Sequence, residues 1–168
     1  AETIAEGALT VTATDSHQGS SNTDTMTITI TVTGNNDAPT ITSSDNVGAI
    51  TEDAGTTTAS DTLVFTDDDT DDTTLAWSMS GATDNGATQT LAGTYGSLVV
   101  TEATGAWTYT IDNADSDTTA LDADDSVSDA FTVTGTDTNG GSDTETVTIT
   151  ITGANDATSA GADQTGSV

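Results

Sequence analysis

FTVTGTDTNGGSDTETVTITITGANDA, Phe131 to Ala157, holds a strand, a turn, a second strand and a linker in one line. Nearly the same line stands earlier: Leu9 to Pro39 reads LTVTATDSHQGSSNTDTMTITITVTGNNDAP. Asp15 then corresponds to Asp137, Gly34 to Gly153, Asn36 to Asn155 and Asp37 to Asp156, so the linkers lie 156 minus 37, or 119, residues apart. A period that long describes domain-sized units in series, not short solenoid repeats. The expected organisation is the C-terminal hairpin and linker of a preceding repeat (1–38), one complete unit (39–157) and the start of a following repeat (158–168).

The apolar residues alternate wherever they cluster. Met26, Ile28, Ile30 and Val32 are separated by Thr, as are Val147, Ile149 and Ile151; Leu75, Trp77 and Met79, and Trp107, Tyr109 and Ile111, keep the same period. Period two marks half-buried strands, and Thr on the solvent side favours strand without adding charge. This patterning opposes a disordered reading, which the composition alone would support: 0 Lys+Arg against 28 Asp+Glu, a formal net charge of -28, 32% hydrophobic and 4% aromatic residues.

The charge also bears on function. With no basic side chain there is no electrostatic basis for binding nucleic acid or an anionic membrane, and no run approaches the roughly 18 apolar residues of a membrane span. No Cys is present for disulfides, and no Lys for isopeptide cross-links. Without Cys or Lys, and with His17 as the sole His, the usual nucleophile and base pairs cannot be assembled, so a non-catalytic role is expected. The carboxylates have no cationic side chain to pair with except His17, so bound metal cations or a saline solvent must offset their repulsion.

Strands are expected over 3–14 and 24–33, then near 40–43, 47–52, 61–66, 74–80, 88–92, 96–101, 106–111, 130–136 and 144–152. No stretch has a helical period. This is the pattern of an all-β, Greek-key β-sandwich, immunoglobulin-like or cadherin-like, in tandem repeats. Trp77, Trp107, Tyr109 and Phe131 are its expected core. The first hairpin bears Leu9, Val11, Met26, Ile28, Ile30 and Val32 on one face. A lone two-stranded hairpin is marginal in water, so another chain, a neighbouring copy or the complete unit is expected to cover that face.

Five blocks resemble the VCBS repeats of large secreted bacterial RTX-type adhesins: TED at Thr51 to Asp53, LVFTDDDTDD at Leu63 to Asp72, YGSLVVTEATGAWTYTIDNAD at Tyr95 to Asp115, ALDADDSVSDAFTVTGTD at Ala120 to Asp137, and VTITITGANDA at Val147 to Ala157. The resemblance implies an extender module in a giant surface protein, secreted to the bacterial cell surface. The hairpin and linker also resemble the end of a cadherin repeat, with Gly34 and Gly153 in place of its first linker Asp. That likeness implies Ca2+ at the joints between units, because Ca2+ takes six to eight oxygens and a short linker supplies both carboxylates and carbonyls. The implied ligands at the first linker are Asn36, Asp37, Asp67, Asp69 and Asp137. Glu52 would sit at the far end beside Asn155 and Asp156. A second cluster comprises Asp112, Asn113, Asp115 and Asp117, extended by Asp122, Asp124 and Asp125. The competing reading of every Asp is an Asx turn, a strand-end cap or a hydrated surface.

The expected function is a structural extender with Ca2+-rigidified joints, serving cell adhesion and biofilm attachment, extracellular, with neighbouring repeats or copies of itself as partners. A cell-surface or matrix ligand would be met through other parts of the parent protein. The alternative is a self-assembling extracellular fibre, completed by strand exchange between copies. Salt-tolerant solvation is a third reading of the acidity. The Thr ladders at 25–33 and 144–152 would suit an ice- or sugar-binding face only as several parallel rows; one row per sheet edge fits solvent-facing β propensity better.

Overall fold

The computed structural model describes residues 3–15, 22–43, 46–69 and 72–156. His17 and the stretch expected to begin a following repeat (158–168) lie outside them. The described residues form thirteen strands and no helix: β1 (Thr3–Asp15), β2 (Asn22–Thr33), β3 (Thr40–Ile41), β4 (Val47–Thr51), β5 (Thr58–Thr62), β6 (Phe65–Thr66), β7 (Ala76–Met79), β8 (Thr83–Asp84), β9 (Thr88–Ala92), β10 (Gly96–Thr101), β11 (Ala106–Ile111), β12 (Ser126–Thr136) and β13 (Ser142–Thr152).

A five-stranded sheet, β5-β11-β10-β9-β8, faces a four-stranded sheet, β4-β13-β12-β7, and the short pair β3-β6 closes one end. The chain crosses between the two large sheets four times: after β4, between β5 and β7 by way of β6, after β7 and after β11. Pairing is antiparallel throughout except for β4, which lies parallel to β13, Val47 opposite Thr148 and Thr51 opposite Thr152. The fold is thus the all-β sandwich expected from the alternation. The stretch read as one strand over 61–66 is in fact divided. β5 joins β11 in the large sheet while β6 turns away to pair with β3, and buried Leu63 lies at the switch, its N–H on the Gly105 carbonyl at 3.0 Å.

The core is the set of inward positions of both sheets: Leu98, Val100, Trp107, Tyr109 and Ile111 from one, Phe131, Val133, Val147, Ile149 and Ile151 from the other, all buried. Tyr109 and Phe131 meet across the layers with ring centroids 6.0 Å apart, and Trp77 receives the edge of Phe65 at 6.4 Å. The outward positions carry Thr against Thr or Ser, as in Thr146 opposite Thr132, Thr144 opposite Thr134, and Thr134 opposite Ser78.

Long antiparallel strands give the unit two poles, about 33 Å apart over the ten residue steps of β12. At one pole the linker 34–39 meets the loop after β6 and the β12–β13 turn. At the other, the end of β4 meets the end of β13. The hairpin β1–β2 stands by itself. Leu9, Val11, Met26, Ile28, Ile30 and Val32 are each 39% to 60% exposed, so of the three covers expected for this face the complete unit is not the one that buries it. Isoleucine and valine in such a row bury fully in β13, which makes the difference one of missing neighbours, not of residue type.

Candidate metal centre

The first linker is tied to the unit by two of its own polar groups. The Asn36 amide donates to Asp137 Oδ2 at 3.1 Å, and the Asp37 N–H donates to Asp69 Oδ2 at 2.7 Å. The loop after β6 is itself an Asx turn, with the Asp69 N–H on Asp67 Oδ1 at 2.9 Å. Two residues past the linker attachment, buried Pro39 leads into β3, and the Ile41 N–H donates to Asp143 Oδ2 at 2.8 Å.

The third segment is the turn Asp137-Thr138-Asn139-Gly140-Gly141 between β12 and β13. Its first carboxylate holds the turn by accepting the N–H groups of Asn139 and Gly141, both at 2.8 Å. Gly140 adopts φ 96°, a conformation costly for other residues, and a Cβ on Gly141 would fall on the Asp137 carboxylate and the Asn36 amide. Asp72 reaches the same turn from the β6–β7 loop. It accepts the Thr138 hydroxyl, the Thr138 N–H at 3.3 Å and the Asn139 amide at 3.1 Å.

These contacts bring Asp67, Asp72 and Asp137 together: one oxygen from each lies within 4.8 Å of the others, and among the described residues this is the one such acidic group. Two oxygens on one Ca2+ at 2.3–2.6 Å stand at most about 5 Å apart, so the spacing suits a shared ion. Asp72 and Asp137 are 3% and 7% exposed. Asn36 Oδ1 and Asp67 Oδ2 are buried with no hydrogen-bond partner. Carboxylate and amide oxygens converging in a chain with no Lys or Arg form a donor set for a hard divalent cation. An unpaired buried acceptor is unfavourable until something positive faces it.

Both buried carboxyls sit below the ordinary Asp value of 3.8. For Asp72 the Thr138 hydroxyl is the main cause, outweighing the upward push of burial, with the Asn139 amide and the Thr138 N–H adding to it. For Asp137 burial pushes upward most strongly, but the Asn36 amide and the N–H groups of Asn139, Gly141 and Gly140 together prevail. A carboxyl whose value is lower in the folded state stabilises the fold above the ordinary value and loses that contribution as pH falls through and below it. In cation-free buffer the melting temperature is therefore expected to fall on acidification below pH 3.8. The Asp72→Asn variant should fall less steeply than the parent; equal slopes in the two proteins would show that Asp72 is not responsible.

Of the ligands expected at the first linker, Asn36, Asp67 and Asp137 converge. Asp37 contributes its N–H, and Asp69 is engaged by that N–H, outside the three-carboxylate group. Asp72 was not singled out from the sequence. Its role depends on Thr138 and Asn139, 66 and 67 residues further on, and no local spacing announces that pairing.

At the other pole Glu52 is 1% exposed. Its Oε2 accepts the Ala154 N–H at 3.1 Å, while Oε1 is buried and unpartnered. Asn155 and Asp156 follow directly and repeat the local geometry of the first linker: the Asn155 amide donates to the Asp156 carbonyl at 3.0 Å, as Asn36 does to Asp37 at 2.9 Å. The Asp53 N–H lies 3.5 Å from Asn113 Oδ1, which brings the turn after β11 to this pole. In the connection that follows, three carboxylates serve the local backbone: Asp112 accepts the Ala114 N–H at 3.0 Å, Asp115 the Asp117 N–H at 2.8 Å, and Asp125 the Asp122 N–H at 2.9 Å. No group of three carboxylates comes within 4.8 Å of one another there among the described residues.

A family model described as bacterial cadherin-like domain matches residues 36–153, the span from the first linker to the end of β13. No curated protein matches the sequence.

Proposed function

Because the chain belongs to the bacterial cadherin-like domain family, we propose that it is a non-catalytic structural repeat of a secreted bacterial surface adhesin, with Ca2+ held at the poles of its sandwich to stiffen the joints between units. Cell adhesion and biofilm attachment would be the task of the parent protein. An all-β domain of this family is typically structural, and among the described residues no helix is long and apolar enough to cross a membrane.

The observation that carries the reading is the convergence of Asp67, Asp72 and Asp137 with the linker residue Asn36, where two buried oxygens lack partners and the chain has no cation of its own. Bound there, Ca2+ would supply positive charge shared between the linker and two loops of the sandwich. Asn36 Oδ1, Asp67, Asp72 and Asp137 would hold it, and Asp69 would keep the linker in place through Asp37. Glu52, with Asn155 and Asp156, would offer oxygens to the corresponding joint at the other pole.

Calorimetric titration of the chain with Ca2+, paired with thermal melts, tests this. At about a hundred times the dissociation constant, a single ion bound to the folded state alone adds about 2.7 kcal/mol, roughly 10 °C in melting temperature for a domain of this size. Asp67→Asn and Asp137→Asn should each weaken binding at least about tenfold, through loss of ligand charge. Mg2+ should substitute poorly, since it demands a small octahedral shell and gives up water reluctantly. Absence of heat and of any melting shift in millimolar Ca2+ would end the joint reading while leaving the fold as described.

A further inference from the structure

The hairpin β1–β2 has the same register as the hairpin that closes the complete sandwich. Leu9 faces Ile28 as Phe131 faces Val147; Val11 faces Met26 as Val133 faces Glu145; Ala13 faces Asp24 as Gly135 faces Asp143. Beyond a register shift between Glu6 and Leu9 the match resumes, with Glu6 opposite Ile30 as Asp129 is opposite Ile149, and Ile4 opposite Val32 as Val127 is opposite Ile151. Period-two alternation means that equal register puts equivalent residues on the same face. In β12–β13 that face is dry: Val133, Val147, Ile149 and Ile151 are each 0% exposed beneath β10 and β11. In β1–β2 its counterparts stand in solvent.

We propose that β1–β2 is the closing hairpin of a second sandwich, whose facing sheet is a half-unit built like residues 39–122 and lying before it in the same polypeptide. The edges of the hairpin specify more. In the complete unit β4 adds in parallel along Thr148–Thr152, and β7 adds antiparallel along Val133–Thr136. The corresponding free edges are Thr29–Thr33 of β2 and Val11–Thr14 of β1, so a β4-like strand takes the first and a β7-like strand the second.

A second copy of this chain is the poorer occupant. Its own β10–β11 face is already covered by β12–β13, which contributes Phe131 against Tyr109 and the buried Asp129 carboxylate that binds Thr94, Tyr95 and Tyr109. The invading hairpin would offer Leu9 and Glu6 at those two positions. It would displace a better-fitting, covalently attached rival. This inference rests on register and burial alone, and it stands or falls independently of any cation.

The test compares the full chain with the same chain carrying a second copy of residues 39–122 ahead of Ala1, by hydrogen exchange and sedimentation. In the longer protein the amides of Met26 to Thr31 should exchange at least about a hundredfold more slowly than in the shorter one, because protection follows burial in a cooperative unit. Ile30→Asp should abolish that gain and leave the melting of the 39–152 unit unchanged in both proteins, since Ile30 pairs within its own hairpin, opposite Glu6, and is 55% exposed in the shorter chain. Equally fast exchange in the two proteins would overturn the proposal. Slow exchange already present in the shorter chain would overturn it too: a sedimenting dimer would make a second copy the occupant, and a monomer would mean that the chain covers its own hairpin.

Discussion

Asp129→Ala is expected to lower the melting temperature by roughly 10–20 °C, from a loss of about 3–5 kcal/mol. The carboxylate, 5% exposed on β12, accepts three hydrogen bonds from the opposite sheet: the Thr94 N–H at 2.9 Å, the Tyr95 N–H at 3.0 Å and the Tyr109 hydroxyl at 2.8 Å. It therefore clamps the turn between β9 and β10 to the other layer. Its oxygens fill the space where a Cβ on residue 93 would stand, which requires Gly93. Removing the acceptor leaves buried donors unsatisfied, and that is more costly than the net worth of the bonds themselves. Tyr109→Phe removes one donor and leaves the carboxylate two partners, so it should lose only about 1 kcal/mol. Burial, and then the hydrogen bond to Asp129 and its charge, push the Tyr109 phenol far above its usual value of 10.0. The phenol thus keeps its proton throughout neutral pH, and the contribution of its raised value declines as pH rises above 10, where the unfolded chain gains by ionising. Circular dichroism melts decide the matter. A fall of under about 3 °C for Asp129→Ala would mean that the turn is held by something else.

Trp107→Ala should cost a similar amount, about 3–5 kcal/mol, for a different reason. The indole is 2% exposed in the middle of the core, seated where β4 has a glycine. A Cβ on Gly48 would stand 2.7 Å from Ile149 Cδ1, 2.9 Å from the Ala59 Cβ and 3.5 Å from Trp107 Cη2, so the surroundings are full and cannot close over a deleted ring. Yet the indole is not ideally placed: among the described residues its Nε1 has no acceptor. Trp107→Phe removes this orphan donor along with part of the ring, and the two changes offset each other to leave a loss of about 1 kcal/mol. Phenylalanine and alanine variants of equal stability would show that cavity volume does not govern this site.

Much of the candidate metal centre was legible in the chain because repeated local patterns reveal it. Asp137 occurs at the same place in its hairpin as Asp15 does in the first, and Asn36-Asp37 recurs as Asn155-Asp156. What was not legible are contacts without a local signature. Asp72 stands in a run of near-identical Asp residues, and only the approach of Thr138 and Asn139 distinguishes it from Asp69. Asp129 falls one residue before the strand expected over 130–136, so the alternation rule does not mark it, although β12 in fact begins at Ser126. Its meaning depends on backbone N–H groups 34 and 35 residues earlier in the chain.

By itself the sequence determined most of the strands and the turns between them, since alternation and turn residues act over a few positions; it did not reveal the division of 61–66, which depends on two different partner strands. The tertiary structure alone decided which carboxylates meet. Asn36 and Asp137 are 101 residues apart, and Asp67 and Asp72 join them from a loop 70 and 65 residues before Asp137; strand order in the two sheets, not spacing along the chain, brings such groups to one pole. It also decided that one hairpin is buried and its near-copy exposed, because burial depends on which sheet lies opposite, and two strands of the same composition and register carry no record of that neighbour.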